Sequence, residues 1–252
     1  MNSRERSLIE KAGYANGWEN VRENSPERVV LFSSRHAAEA IVSTADTNSA
    51  CWRVVFPNGP QAGELARGFS EARQHDDSFL AEGEAALGRL LRRAAELAMS
   101  LPNHAARLFA EEVGKLDATG LEGTEALRLV KQRLGQNLYR QALLEYWGGA
   151  CALTALAIPA LLRASHAKPW ADCESDDERL NVFNGFLLSA HFDALFDAEF
   201  ITFTDDGQLL RSPTITDQDK ILLGLESPVT LRWISPRHLP FLGWHRARVF
   251  RE

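Results

Sequence analysis

One short segment of the sequence combines a titratable ring with two cations. The segment LLRASHAKPW (residues 161–170) places His166 at the end of an apolar run, with Arg163 and Lys168 within three residues of it. Imidazole changes its charge near neutral pH and cations can contact phosphate, so the combination suits acid–base chemistry on a phosphate ester. A single histidine beside apolar residues is more often structural, and the rest of the sequence has to decide between the two interpretations.

A second segment, NVFNGFLLSAHFDALFD, supplies the partners that such chemistry needs. Asn184 opens a strand-like run, and Ser189 can cap a short helix after it. Asp193 and Asp197 are four residues apart, so this helix presents both carboxylates on one face. His191 lies on the same helix. A turn with a histidine, a strand with an asparagine and a helix with carboxylates form a compact arrangement for a base and a metal ion.

Together these segments resemble the HNH nuclease family, whose domain has the ββα-metal fold. The resemblance covers roughly residues 132–211. It is carried by ASHAKPW, NGFLL and LFD, which match the ASHxxPW…NGLLL…LFD pattern of a bacterial, restriction-type branch. The upstream YWGGACALTAL also matches, although Ala155 stands where a glycine is common. Clustered motifs of this kind are far more specific than any one of them alone.

The resemblance implies a role for the central residues of these motifs. His166 matches the general base that takes a proton from water, and Asn184 matches the residue that orients the base and its loop. The third family position falls nine residues after Asn184, where this sequence has Asp193 instead of a histidine. Carboxylate oxygen suits Mg²⁺ or Mn²⁺ better than imidazole does, so the substitution is compatible with a divalent metal.

The resemblance leaves the remaining metal ligands less closely specified. The family often places a carboxylate or a histidine just before the base, where this chain has Ser165, a weak neutral ligand. His191 could supply an imidazole, and Asp197 could be a further ligand or a hydrogen-bond partner of one. The implied reaction is hydrolysis of phosphodiester bonds in double-stranded DNA with one divalent ion. Arg163 and Lys168 are the candidates for contacts with DNA phosphates.

The elements of the N-terminal half predict a mixed α/β unit. SLIEKAGYANGW indicates a helix, RVVLFSS and CWRVVFP indicate strands, and RHAAEAIVS between them predicts a short helix. Residues 57–60 (PNGP) are a strong turn signal. Two amphipathic helices follow, ALGRLLRRAAELAMSL and, after Pro102, NHAARLFAEEVGKL with Asn103 as its cap.

The glycine-containing segment LDATGLEGTE predicts a boundary between two domains, residues 1–117 and 118–252. A long helix then runs over residues 125–147 and stops at two glycines. Short strands are predicted around CALTAL and VFNGFLL, and FITFTDDGQLLRSP predicts a hairpin with Asp206-Gly207 as a two-residue turn. The expected fold class is α+β: an N-terminal mixed α/β recognition domain, a helical connector and a C-terminal ββα-metal nuclease domain.

Composition excludes few classes of protein. The 252 residues are 45% hydrophobic and 25% charged, as in ordinary globular proteins. A net charge of −6 gives no global basic field, which argues only weakly against a DNA partner. Three cysteines without a CxxC pair exclude a structural zinc site of the CxxC…CxxC kind. Without an apolar segment of membrane-spanning length, we expect no membrane association and a reducing cytoplasm.

The N-terminal half is the obvious candidate for choosing the target of the nuclease. Its aromatic residues could sandwich a flipped, modified cytosine, although aromatics near strands are more often core: Trp18, Phe32, Trp52 and Phe56. The layout resembles that of modification-dependent restriction enzymes. The basic run GRLLRRAAEL could face DNA or simply face solvent. Cutting both strands would suggest a homodimer, with the helix over residues 125–147 as its interface.

Two alternatives to a restriction enzyme remain open at this point. The first is an HNH toxin or general nuclease whose N-terminal half binds a partner protein. The second is a catalytically inactive DNA-binding protein that kept the fold. The presence of His166, Asn184 and Asp193 argues against the second, while Ser165 leaves room for it.

Overall fold

The computed structural model describes residues 1–45, 51–57, 61–102, 104–118 and 125–251. The chain forms two compact units, Met1–Leu101 and Pro102–Glu252. The predicted turn at residues 58–60, the cap at Asn103 and most of the predicted linker (119–124) lie outside the described residues. The domain boundary at residues 117–118 stays a prediction.

The N-terminal unit is an antiparallel five-stranded sheet with helices. Its strands are hydrogen-bonded in sequence order: β1 (Asn20–Asn24), β2 (Arg28–Phe32), β3 (Glu39–Thr44), β4 (Cys51–Val55) and β5 (Phe79–Glu82). Its helices are α1 (Ser3–Ala15), α2 (Gln61–Gly68) and α3 (Gly83–Ser100). A capping box fixes the start of α1, because Asn2 and Glu5 exchange hydrogen bonds. Trp18 is buried and donates its indole N–H to the carbonyl of Leu91 on α3 at 2.9 Å.

The helix predicted for RHAAEAIVS is wrong, because residues 39–44 form strand β3. Alanine favours helices, and the segment lacks a strong local strand signal. In the fold, however, β3 pairs with β2 on one side and β4 on the other, and Ala40 and Val42 alternate into the core. Tertiary pairing therefore overrides the local preference.

The C-terminal unit begins with two helices, α4 (His104–Asp117) and α5 (Glu125–Tyr146). The strands β6 (Leu162–His166) and β7 (Gly185–Ser189) then pair antiparallel, with the four-residue helix α6 (Asp176–Arg179) in the loop between them and α7 (Ala190–Asp197) directly after β7. The remaining elements are β8 (Ile201–Phe203), β9 (Leu209–Arg211), α8 (Asp217–Leu222) and α9 (Leu239–Arg248). The order β6, β7, α7 is the predicted ββα arrangement, and the α+β class is confirmed.

The strand predicted around CALTAL is wrong, because residues 151–156 form a turn. The amide of Ala155 donates to the carbonyl of Cys151, and the amide of Cys151 donates to the carbonyl of Leu156. Ala155 has φ 58°, a left-handed conformation that glycine adopts with less strain. This backbone conformation gives a physical reason why glycine is common at that position in the family.

The predicted hairpin after α7 is present, with a longer turn than expected. β8 pairs with β9 from Ile201↔Arg211 to Phe203↔Leu209, and Thr204 and Gln208 are hydrogen-bonded beyond them. The loop is therefore three residues long, and Gly207 occupies its left-handed position at φ 85°. Among the described residues, no helix is both long and apolar enough to cross a membrane.

Candidate active site

Strands β6 and β7 position the two adjacent candidate residues. In their antiparallel register Ser165 lies opposite Phe186 and His166 lies opposite Gly185. Alternation along a strand sends neighbouring side chains in different directions. The Ser165 hydroxyl accordingly contacts Asp193 on α7, while the His166 ring packs on Tyr139 of α5.

The His166 ring is fixed in orientation and in tautomer. Its Nε2 lies 2.8 Å from the carbonyl oxygen of Arg179, and because a carbonyl only accepts, Nε2 carries the proton. Nδ1 is thereby left as the basic nitrogen. The ring stacks on Tyr139 at 3.8 Å between centroids and meets the edge of Trp170. Burial lowers the pKa of His166 to about 4, although the Arg179 carbonyl opposes the shift, so the ring is neutral at pH 7.

Two glycines make this packing possible. A side chain on Gly185 would overlap the carbonyl of Ser165 and the hydroxyl of Tyr139, so β7 can approach β6 and α5 only with glycine there. A side chain on Gly135 of α5 would overlap the Trp170 ring. The glycine of the NGFLL motif is thus required by the close approach of backbone and tyrosine.

Asn184 fastens the loop that connects β6 to β7. It is fully buried, and its Oδ1 accepts the backbone N–H of Lys168 at 2.8 Å. Its Nδ2 donates to the carbonyls of Lys168 at 3.1 Å and Glu178 at 3.2 Å. Both ends of the loop are therefore held by one side chain, and the second end includes Arg179, whose carbonyl holds His166.

The structure brings Ser165, Asp193 and Asp197 together. The Ser165 hydroxyl donates to Oδ1 of Asp193 in a short hydrogen bond. Although solvent reaches the Asp197 side chain, the surrounding protein and then the negative charge of Asp193 raise the pKa of Asp197 to about 6. Burial, and then the nearby Cys173 and Asp197 groups, raise the pKa of Tyr139, the residue that stacks on His166.

The other three predicted site residues are not brought to these carboxylates by any contact. His191 is exposed and its Nε2 donates to the carbonyl of Leu223 at 2.9 Å, since residues two apart on a helix point in nearly opposite directions. Arg163 is exposed and donates to the carbonyls of Ala160 and Leu162.

Lys168 is buried, and both oxygens of Glu178 lie 2.9 Å from its Nζ. The Glu178 carboxylate raises the pKa of Lys168, so the ammonium group stays charged within this ion pair. Its charge is therefore already compensated within the protein.

Residues 151–204 match the sequence model of the HNH endonuclease family. The C-terminal unit contains an HNH domain. No curated protein matches the chain. The matched segment spans the turn at Cys151, both strands of the β6–β7 hairpin and α7, which are the elements that carry His166, Asn184 and Asp193. Such domains act on DNA as endonucleases and generally use divalent metals.

The oxygen atoms of this HNH domain fit a hard divalent cation. Asp193 and Asp197 offer two carboxylates one helical turn apart, and Ser165 adds a hydroxyl beside them. A cation between the carboxylates would relieve the repulsion that helps raise the pKa of Asp197. Among the described residues, no group of three or more His, Cys, Asp or Glu side chains could hold a metal ion, and the third oxygen beside the two carboxylates would come from Ser165.

Sequence reasoning missed two residues that hold the His166 ring in place. Tyr139 stacks on His166 and donates its hydroxyl to the carbonyl of Asn184 at 2.9 Å. Arg179 accepts from His166 through its backbone and donates its Nε to the carbonyl of Trp170. The only sequence signal for Tyr139 was its place on the apolar face of α5, which also fits an ordinary core residue.

Proposed function

We propose that this protein is a metal-dependent DNA endonuclease in which His166 is the general base. The observation that carries the proposal is the state of the His166 ring: Nε2–H is held by the Arg179 carbonyl, and the ring is neutral with Nδ1 as its acceptor. A general base needs an unprotonated nitrogen, and the hydrogen bond to the Arg179 carbonyl fixes Nδ1 of His166 as that nitrogen.

In the proposed reaction, water attacks phosphorus as its proton passes to Nδ1 of His166. A bond forms between the water oxygen and phosphorus, the bond from phosphorus to the 3′ oxygen breaks, and the leaving 3′ oxygen takes a proton from solvent water. Asp193 and Asp197, with the Ser165 hydroxyl, would hold the divalent ion, Mg²⁺ or Mn²⁺. The bound ion would supply positive charge to balance the charge that develops on the phosphate. Asn184 keeps the base-bearing loop in place throughout.

Of the two cations predicted to contact DNA, Arg163 is the better supported. It is exposed one residue beyond the start of β6, and its guanidinium donates only to nearby carbonyls, so a phosphate can approach it. Lys168 is tied to Glu178, so we propose that it stabilises the loop rather than contacting DNA.

The finer proposal is a restriction enzyme that recognises modified cytosine. It is supported by layout alone, a separate compact unit preceding a unit that carries a nuclease domain. The aromatic cage considered for the N-terminal unit is not part of this support, because Trp18, Trp52 and Phe56 are buried in its core. A homodimer through α5 is likewise a proposal, supported by the exposed apolar side chains of Leu129 and Val130.

The test is cleavage of two matched plasmids, one unmodified and one carrying 5-methylcytosine or 5-hydroxymethylcytosine. Each is incubated with Mg²⁺, Mn²⁺ or EDTA, with His166→Ala and the control His191→Ala alongside the wild type. We expect metal-dependent cutting that His166→Ala abolishes and His191→Ala retains. Cutting of the modified plasmid alone would support the restriction proposal, and equal cutting would support a general nuclease. Cutting that survives the loss of His166 would contradict the site.

A further inference from the structure

A groove of about 590 Å³ runs between α1 and α3 of the N-terminal unit. α3 faces it with Arg89, Arg92 and Arg93, and α1 faces it with Lys11. The two helices can lie close together here because Gly88 leaves room for the Asn16 side chain. The groove is therefore lined by four cations, in a chain whose net charge is −6.

Ion pairs within the groove compensate only two of these cations. Lys11 lies 3.4 Å from Glu84, and Arg93 lies 3.1 Å from Glu96. Arg89 and Arg92 are both exposed and, within the described part of the chain, form no ion pair. The net positive charge of the groove thus comes from two arginines that are one helical turn apart, where side chains are neighbours on the helix surface.

One of the two arginines is already held in place. The Asn16 amide donates to the carbonyl of Ala12 at 2.8 Å, and its oxygen accepts the Nε–H of Arg92 at 3.1 Å. The terminal nitrogens of Arg92 remain available for a second partner. A guanidinium fixed through Nε loses less conformational entropy on binding an anion, and its flat shape matches the oxygens of a phosphate.

We infer that this groove is a docking surface for the phosphate backbone of double-stranded DNA. The inference rests on the proposed function, because the DNA substrate of the HNH domain is what identifies the polyanion. Arg89 and Arg92 contact neighbouring phosphates of one strand, so the N-terminal unit contributes affinity without reading bases. Arg89 and Arg92 are two of the three arginines in the run GRLLRRAAEL, and the third, Arg93, is paired with Glu96.

The experiment measures binding rather than cutting, so that it does not depend on the nuclease. The full-length protein is titrated in EDTA with a fluorescent 20-base-pair duplex at several salt concentrations. The test variant is Arg89→Gln with Arg92→Gln. The matched control is Arg4→Gln with Arg35→Gln, which removes two exposed arginines of the same unit that do not line the groove. Circular dichroism melting checks that both variants remain folded.

We expect the dissociation constant of the test variant to rise about tenfold at physiological salt. The slope of log affinity against log salt should also become shallower by about two, one for each lost phosphate contact. Equal binding by the test variant and the control would overturn the inference, as would a wild type that binds no duplex. If the test variant lost binding to an RNA duplex of the same length but bound DNA as tightly as the wild type, the assignment to DNA would be wrong.

The outcome is separable from that of the proposed function. A protein that never cuts plasmid but shows the expected salt dependence keeps the docking surface and loses the nuclease assignment. A protein that cuts in the His166-dependent manner but binds DNA equally with and without the two arginines keeps the nuclease and loses the docking surface.

Discussion

The two halves of the candidate active site are built differently. The half around His166 is held by packing and hydrogen bonds, with the ring stacked on Tyr139 and its Nε2–H held by the Arg179 carbonyl. The half around Asp193 and Asp197 has two like charges on one helix face and a single neutral donor, Ser165. The proposed base is therefore preorganised by the protein alone, whereas neither Asp193 nor Asp197 forms an ion pair within the described part of the chain.

This contrast predicts which residues contribute to the free energy of folding and which contribute to the free energy of metal binding. Removing a group from the base half should disturb the protein in the absence of any ligand, because buried polar groups lose their partners. Removing a carboxylate should not destabilise the fold, because like charges on one helix face repel. It should instead weaken the binding of the metal ion. Four predictions, from the largest expected effect to the smallest, test this difference.

Changing His166→Ala should lower the rate of DNA cleavage by about 10²–10⁴-fold, because the proton acceptor for water is lost. Metal affinity should not change. The matched control is His191→Ala, which removes an exposed ring that contacts Leu223 and should cut at nearly the wild-type rate. Single-turnover cleavage of a plasmid measures both. Equal losses in the two variants would show that His166 has no special role.

Changing Asn184→Ala should lower the free energy of unfolding by about 3 kcal/mol, since a fully buried amide with hydrogen bonds at both ends of the loop is lost. Urea denaturation without metal provides the measurement. Asn184→Asp keeps the size of the side chain and the oxygen that accepts from Lys168. It should destabilise the protein less than Asn184→Ala if that accepted hydrogen bond contributes more than the donated ones. A loss below about 0.5 kcal/mol for Asn184→Ala would contradict the proposed fastening of the loop.

Changing Asp197→Asn should weaken Mn²⁺ binding by at least about tenfold, roughly 1.4 kcal/mol, through loss of a charged oxygen. Without metal the variant should be as stable as the wild type or slightly more stable, because the repulsion from Asp193 disappears. Thermal melting with and without Mn²⁺ tests both statements. In the wild type the metal-induced rise in melting temperature should fade below about pH 6, as Asp197 takes up a proton. Metal stabilisation that survives in the variant would exclude Asp197 as a ligand.

Changing Tyr139→Leu should raise the pKa of His166 from about 4 toward its ordinary value of about 6.5, because burial lowers this pKa and the stacked Tyr139 ring covers one face of the imidazole. Only the neutral ring accepts a proton, so activity is lost as pH falls through the pKa of His166. Because Asp197 also takes up a proton near pH 6 and weakens metal binding there, the two proteins are compared on the ring itself rather than on cleavage. Tyr139→Phe keeps the stack and should keep the low pKa. NMR titration of His166 measures this pKa directly, and a wild-type value near 6.5 would contradict the proposed burial of the ring.

The same contrast explains how far the sequence could predict the site. His166, Asn184 and Asp193 are recognisable because their spacing follows the short, local β6–β7–α7 unit. Tyr139 lies on α5, 27 residues before His166 in the chain, and a buried tyrosine on an amphipathic helix looks like any core residue. The ion pair between Lys168 and Glu178 could not be predicted from the sequence either, because the two residues meet only when the loop is folded.

The fold shows the same division between local and tertiary signals. Amphipathic helices such as α3 and α4 are predicted well because their periodicity is strong. The strand β3 is not, since Ala40 and its neighbours favour a helix until β2 and β4 pair with them. Ala155 falls between these cases. The family resemblance showed that glycine is common at this position, and the left-handed backbone conformation of Ala155 gives the physical reason.

The most direct test of the central claim is calorimetric titration of Mn²⁺ into the wild type, His166→Ala and Asp197→Asn, with plasmid cleavage measured on the same samples. The account predicts that His166→Ala binds Mn²⁺ with wild-type affinity and does not cut, while Asp197→Asn binds Mn²⁺ at least about tenfold more weakly. If His166→Ala lost metal binding while Asp197→Asn kept it, the division into a preorganised base and a metal-requiring carboxylate pair would be wrong.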